Sequence, residues 1–164
     1  MDQDNATTAA AAPTLVVGLR FQPSDALLMG YLYCKVSGKM HMGDVIKECD
    51  LYGQKEPWEL WELYGGDKLQ PGEDLYFYTQ LKKTLDGSRI NRSVGTGTWM
   101  GEDFNEPITF SQKLLGYKKR YTYEDGVTEQ VGRWIMQEYN LNASLHDNDY
   151  DYVLCRIRKN DRSN

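Results

Sequence analysis

The spacing of apolar residues changes period at Gly72, and that change limits the possible folds more than any other feature of the chain. Ahead of it the spacing is helical. Ser24 followed by Asp25 supplies a hydroxyl cap and an acid for the positive end of a helix dipole. Leu28, Tyr31, Leu32 and Cys34 to Val36 continue the pattern as far as Gly38, a glycine stop, which predicts a helix over Asp25–Val36. A second helix is expected over Pro57–Tyr64: Pro57 suits its first position, and Pro57, Leu60, Trp61 and Tyr64 share one face. Beyond Gly72 the segments are strand-like: Leu75–Thr79, Leu114–Tyr123, Gly132–Leu141 and Tyr150–Arg158, with turn chemistry such as Glu124-Asp125-Gly126 between them. In the last of these Val153, Cys155 and Ile157 fall on one face, and Leu154, Arg156 and Arg158 on the other. Helices followed by strands at hairpin-like spacing predict an α+β fold with a mostly antiparallel sheet. Phe21, Leu28, Leu32, Phe77, Trp134, Ile135 and Val153 are expected to share one core.

Composition narrows the function. The 164 residues suffice for one domain, and 40% hydrophobic with 26% charged residues suits a folded chain. The net charge of -5 excludes a binder that is strongly basic throughout, though not one with a local basic patch. Between Thr79 and Trp134 there are nine Lys/Arg against seven Asp/Glu, whereas the rest of the chain has ten against seventeen. Such asymmetry is what a nucleic-acid face on an acidic body would show, but on charge alone an ordinary mixed-sign surface is the better reading. No run of about 18 apolar residues exists to span a membrane. Three widely spaced cysteines, Cys34, Cys49 and Cys155, suit a reducing compartment rather than a disulfide scaffold, and His41 and His146 are too few for a zinc site. Gly95-Thr96-Gly97 is better read as a glycine-rich approach to a strand than as a phosphate loop, since no helical pattern follows. Asp147, Asp149 and Asp151 fit a solvated approach to the final strand rather than a metal site. No catalytic or metal-ligating constellation stands out.

A set of short motifs adds a family. Gly18-Leu19-Arg20-Phe21-Gln22-Pro23-Ser24-Asp25 resembles GFRFxPTDEEL, the opening motif of the plant NAC-domain transcription factors. Asp44-Val45-Ile46, Asp50-Leu51-Tyr52, Glu56-Pro57-Trp58 and Tyr76-Phe77-Tyr78 match in the same order. So do Asp86-Gly87-Ser88-Arg89 with Asn91-Arg92, Gly95-Thr96-Gly97-Thr98-Trp99, and Leu115-Gly116-Tyr117-Lys118-Lys119. Trp134 to Tyr139 and Val153 to Ile157 complete the series. The resemblance implies a twisted, mostly antiparallel sheet packed between a few helices. It also implies double-stranded DNA as partner, a nuclear location, and a homo- or heterodimer with other NAC-domain proteins through Leu19, Arg20 and Phe21. No cofactor, membrane or small-molecule substrate is implied. Carried over by position, phosphate contacts fall on Lys83, Arg89, Arg92, Lys118 and Lys119. The groove-facing strand falls on Gly97 to Ile108, with Trp99 and Met100 upon it. Residues 1–14 are expected to be a disordered leader, 15–159 the DNA-binding domain, and 160–164 a short tail with no regulatory region.

The same alignment shows where this chain departs from the family pattern. WKATG is replaced by Trp99-Met100-Gly101-Glu102-Asp103, and a downstream lysine by Glu106. A lysine-rich loop becomes Glu124-Asp125-Gly126-Val127-Thr128-Glu129, and the acidic pair of DEEL becomes Ala26-Leu27. Met100 offers a base or phosphate no hydrogen bond, and Glu102, Asp103 and Glu106 repel a polyanion. The alternative expectation is therefore an interaction module of the same fold that dimerises with little or no sequence-specific DNA binding.

Overall fold

The computed structural model describes residues 21–39 and 45–160. The expected leader, Leu19, Arg20, His41 and residues 161–164 lie outside the described residues. Helix α1 runs over Asp25–Ser37, with the Ser24 hydroxyl accepting from the Leu27 amide at 3.1 Å and Gly38 ending it at φ 73°. Helix α2, Pro57–Leu63, opens with a capping box in which the Glu59 carboxylate accepts from the Glu56 amide.

The described residues hold nine strands, in chain order β1 (Ile46–Glu48), β2 (Leu75–Gln80), β3 (Lys82–Lys83), β4 (Ile90–Asn91), β5 (Ser93–Val94), β6 (Gly97–Phe110), β7 (Lys113–Glu124), β8 (Trp134–Leu141) and β9 (Tyr152–Lys159). Seven of them form one sheet in the order β1-β2-β9-β8-β7-β6-β5, and β3 pairs with β4 as a separate hairpin. Every pairing is antiparallel except β1 with β2. The fold is α+β, with a twisted, curled, mostly antiparallel sheet.

The single expected core is two cores. Strand alternation sends Phe77, Trp134, Met136, Val153, Cys155 and Ile157 to the α2 face, with Trp99, Tyr121 and Tyr123. Tyr76, Tyr78, Tyr139 and Leu154 face α1, where Leu28, Met29 and Leu32 cover them. Phe21 packs on the α1 side against Tyr76, ring centroids 4.9 Å apart, while Ile135 is buried apart from either cluster. A sheet covered on both faces cannot gather one set of residues on one side.

Strand β6 is the long outer element. Its partner β5 covers only Gly97 and Thr98, so among the described residues no strand pairs the outer edge from Met100 onward. The inner edge pairs with β7 through a bulge: Gly101 lies opposite Tyr121 and Asn105 opposite Lys119, four steps against two. Glu102, Asp103 and Phe104 are thereby crowded opposite Arg120, and Phe104 projects 66% exposed.

Candidate nucleic-acid interface

The β3–β4 hairpin presents two cations. Its turn is fastened by Asp86, which accepts from the Ser88 amide at 3.0 Å and from the Thr84 and Ser88 hydroxyls at 2.7 Å each. These bonds, led by the Ser88 amide, hold the Asp86 carboxyl down to about 2. Gly87 takes the left-handed conformation that the turn requires. Lys83 and Arg89 stand exposed on this hairpin, and among the described residues neither side chain has an ionic partner. Neighbouring Lys82 is tied down instead, to Asp50 Oδ2 at 2.6 Å and to the Tyr52 carbonyl.

Arg92, three residues past Arg89, turns inward. Its guanidinium grips Glu138 of β8 with both terminal nitrogens, Nη2 to Oε2 at 3.1 Å and Nη1 to Oε1. Glu138 is 1% exposed and Arg92 17%. Tyr52 donates to the same Oε1, accepts from Arg92 Nη1 at 2.9 Å, and Asn140 donates to Oε2 at 3.0 Å. The guanidinium also lies 4.5 Å from the Tyr121 ring centroid. Burial, followed by nearby Cys155 and Glu138, pushes the Tyr52 hydroxyl well above the usual tyrosine range.

The remaining expected contacts are divided between the two faces of the sheet. Lys118 of β7 points toward α1, 17% exposed, with its ammonium 2.7 Å from Asp25 Oδ2 and 4.0 Å from Glu106. Tyr139 donates to the other oxygen of Asp25 at 2.7 Å. Burial raises the Asp25 pKa, but the Lys118 and Tyr139 hydrogen bonds and the charges of Lys118 and Arg156 outweigh it, leaving the carboxyl below its ordinary range. Lys119 points the other way and lies 5.7 Å from the Tyr121 ring centroid. Trp99 is buried, its indole N–H donating to the Leu51 carbonyl at 3.3 Å, so its ring belongs to the core rather than to the outer surface. Met100, the next residue, is 54% exposed. Along the same strand Glu102 faces Arg120 at 3.5 Å, while Asp103 and Glu106 are exposed.

Gly95-Thr96-Gly97 leads into a strand, as the sequence suggests: Gly95 and Thr96 make the turn between β5 and β6, Gly97 opens β6, and the polar groups of the turn are already occupied. Glu56 Oε2 accepts from the Thr96 amide at 3.0 Å and its hydroxyl at 2.7 Å, while the Tyr123 hydroxyl bonds Oε1. Gly95 has φ 54°, and a Cβ there would lie 2.1 Å from the Glu56 carboxylate. In the acidic loop Asp125 accepts from the Val127 and Thr128 amides and from the Thr128 hydroxyl; these bonds, led by the hydroxyl, hold it down to about 2.

The structure therefore brings Lys83 and Arg89 together on one exposed hairpin and commits Arg92 and Lys118 to internal carboxylates. Glu138, Asp25 and Tyr52 organise these cations, and sequence reasoning did not single out Glu138 or Tyr52 as partners. The available signal was a glutamate within the apolar run Trp134–Leu141: a carboxylate on a buried strand face demands a cation. Of the expected dimer residues only Phe21 is described, half-buried against Tyr76 and Tyr31.

Comparison with known proteins gives a consistent picture. A sequence profile for the family described as No apical meristem (NAM) protein matches residues 16–141. NAC domain containing protein 50 of Arabidopsis thaliana is 35% identical over 161 residues, covering 92% of this chain and 35% of its own length. NAC domain-containing protein 101 of the same plant is 35% identical over 147 residues, covering 87% of this chain and 42% of its own. NAC domain-containing protein 54 of Oryza sativa subsp. japonica is 33% identical over 159 residues, covering 91% and 24%. The chain spans less than half the length of each of these relatives.

Proposed function

Because the chain belongs to the NAC-domain family, we propose that it is a nuclear transcription regulator meeting double-stranded DNA through the β3–β4 hairpin and the outer edge of β6, as a homo- or heterodimer with other NAC-domain proteins. The observation that carries the reading is the pair Lys83 and Arg89, exposed and without ionic partners among the described residues, on a hairpin whose turn Asp86 fastens, just upstream of an open edge strand. A strand edge fits the major groove, and flanking cations hold phosphates. Of the five expected phosphate contacts, Lys119 is the third with no ion pair among the described residues, whereas Arg92 and Lys118 are engaged within the fold. Three phosphate contacts give a slope of log K against log salt of about -3. A fluorescence titration of a NAC-type palindromic duplex and a random duplex across a salt series tests this. Binding with that slope supports the reading; absence of binding to any duplex at low salt overturns it.

A second reading rests on Glu102, Asp103 and Glu106 along the groove-facing strand. Three carboxylates at that edge oppose a polyanion and favour an interaction module that reads DNA poorly. On this reading the same titration shows equal, weak affinity for both duplexes.

A further inference from the structure

We propose that Arg92 is a positioning residue and not a phosphate ligand: with Tyr52 it pins the basic β3–β4 hairpin and the start of β6 to the buried carboxylate of Glu138. The inference deepens the DNA-binding reading and rests on it only for the affinity measurements below.

Three observations carry it. First, the geometry is saturated. The two-nitrogen grip of Arg92 takes both Glu138 oxygens, Tyr52 adds to one and Asn140 to the other. A phosphate could recruit this guanidinium only by leaving a carboxylate that is 1% exposed without its cation, which is among the most costly changes a buried site can suffer. Second, the pinned atoms lie where orientation matters. The Arg92 carbonyl accepts from the Trp99 amide at 3.0 Å and the Thr98 hydroxyl at 3.2 Å, so fixing Arg92 fixes the beginning of β6. Arg92 directly follows β4, so it also fixes the hairpin that displays Arg89. Third, Tyr52 is the second pin on the same hairpin, because its carbonyl accepts from Lys82 of β3 at 3.2 Å while its hydroxyl reaches Glu138. Hairpin, loop and central strand therefore meet at one carboxylate.

Arginine and lysine separate the two roles. A lysine keeps the charge that a phosphate needs but cannot span two carboxylate oxygens with a planar fork. Arg92→Lys is therefore expected to lower duplex affinity at least about tenfold with an unchanged salt slope, while Arg89→Ala flattens the slope by about 0.9. Amide hydrogen exchange needs no DNA. In Arg92→Lys and in Glu138→Gln, exchange across residues 82–91 should rise about tenfold or more, with a smaller change in Val153–Ile157 of the central sheet. Tyr52→Phe removes one pin, keeps the ion pair and should give a weaker version of the same pattern if the other variants do not fold. Full affinity in Arg92→Lys with a flattened slope in Arg92→Gln would make Arg92 a phosphate ligand and overturn the proposal. Exchange that is unchanged in the hairpin, or raised equally everywhere, also overturns it. If the parent protein binds no duplex, the DNA reading fails, while localised exchange in the hairpin still upholds the pin.

Discussion

Asp25 begins as a helix-terminal acid and ends as the link between α1 and the sheet. Its two oxygens take Lys118 and Tyr139, each at 2.7 Å, so Asp25→Asn should cost about 2 kcal/mol, the worth of a charge-assisted hydrogen bond. Because its folded pKa lies below the ordinary value, the carboxylate contributes stability that is present above an unfolded pKa of about 3.9. That contribution fades as pH falls through the lower folded value. Urea melts between pH 6 and pH 3 should therefore show a shallower acid decline in the variant than in the parent. Gly95 sets the opposite kind of constraint. Its left-handed backbone and the 2.1 Å approach to Glu56 mean that Gly95→Ala should cost roughly 2–3 kcal/mol, from backbone strain plus the displaced carboxylate. Thermal melts of Gly95→Ala, Glu56→Gln and the double variant would show less than additive losses, since both disturb the same Glu56 bonds to Thr96 and Tyr123.

Among the elements, β6 is the one on which the proposed DNA reading turns. Met100→Lys, Glu102→Thr and Glu106→Lys together change the charge of its exposed stretch by +4, one gained, one removed and two from the reversal. That variant should bind a NAC-type palindrome more tightly than the parent and recover preference over random duplex, each good base contact being worth about 1–3 kcal/mol. No gain in a side-by-side titration would locate the defect outside β6. Helices α1 and α2 were legible because caps and glycine stops are local: Ser24, Gly38 and Pro57 mark them within a residue or so of their observed ends. The strands Leu75–Gln80, Lys113–Glu124 and Trp134–Leu141 were legible through aromatic enrichment and turn residues. Strand β1 was not, since three residues carry no period and its parallel pairing depends on a distant partner. The bulge opposite Arg120 likewise leaves no local mark. Motif alignment found the cations, but not that Arg92 and Lys118 face inward, because the direction of a side chain follows from pairing register.

At the scale of the whole molecule, the two cores are rich in phenols. Tyr52, Tyr76, Tyr78, Tyr121, Tyr123 and Tyr139 are all buried, and in each case burial leads the influences that raise the pKa; Tyr121 and Tyr123 reach about 12. A raised folded pKa gives stability that is complete below the unfolded value of about 10 and lost as pH rises through the folded value. Each hydroxyl that stays neutral in the fold while its unfolded counterpart ionises weakens the fold by up to about 1.4 kcal/mol per pH unit over that interval, and the buried set acts in the same direction. A domain of ordinary stability, about 5–15 kcal/mol, should therefore lose stability steeply above pH 10 and unfold cooperatively. Tyrosinate absorbance and circular dichroism should change together, and gradual ionisation without loss of structure would contradict this. The sheet order has a consequence for how the chain is made. Among the described strands β9 comes last in sequence, yet it sits between β2 and β8 in the middle of the sheet. A ribosome delivers it after the other strands of this sheet, so until residue 159 has left the exit tunnel the sheet lacks the strand that joins its two halves. Each of them has an open edge where β9 belongs, Leu75–Gln80 on one and Trp134–Leu141 on the other. A message cut short before Tyr152 would yield no smaller version of the protein, only two exposed edges for chaperones and proteases to handle.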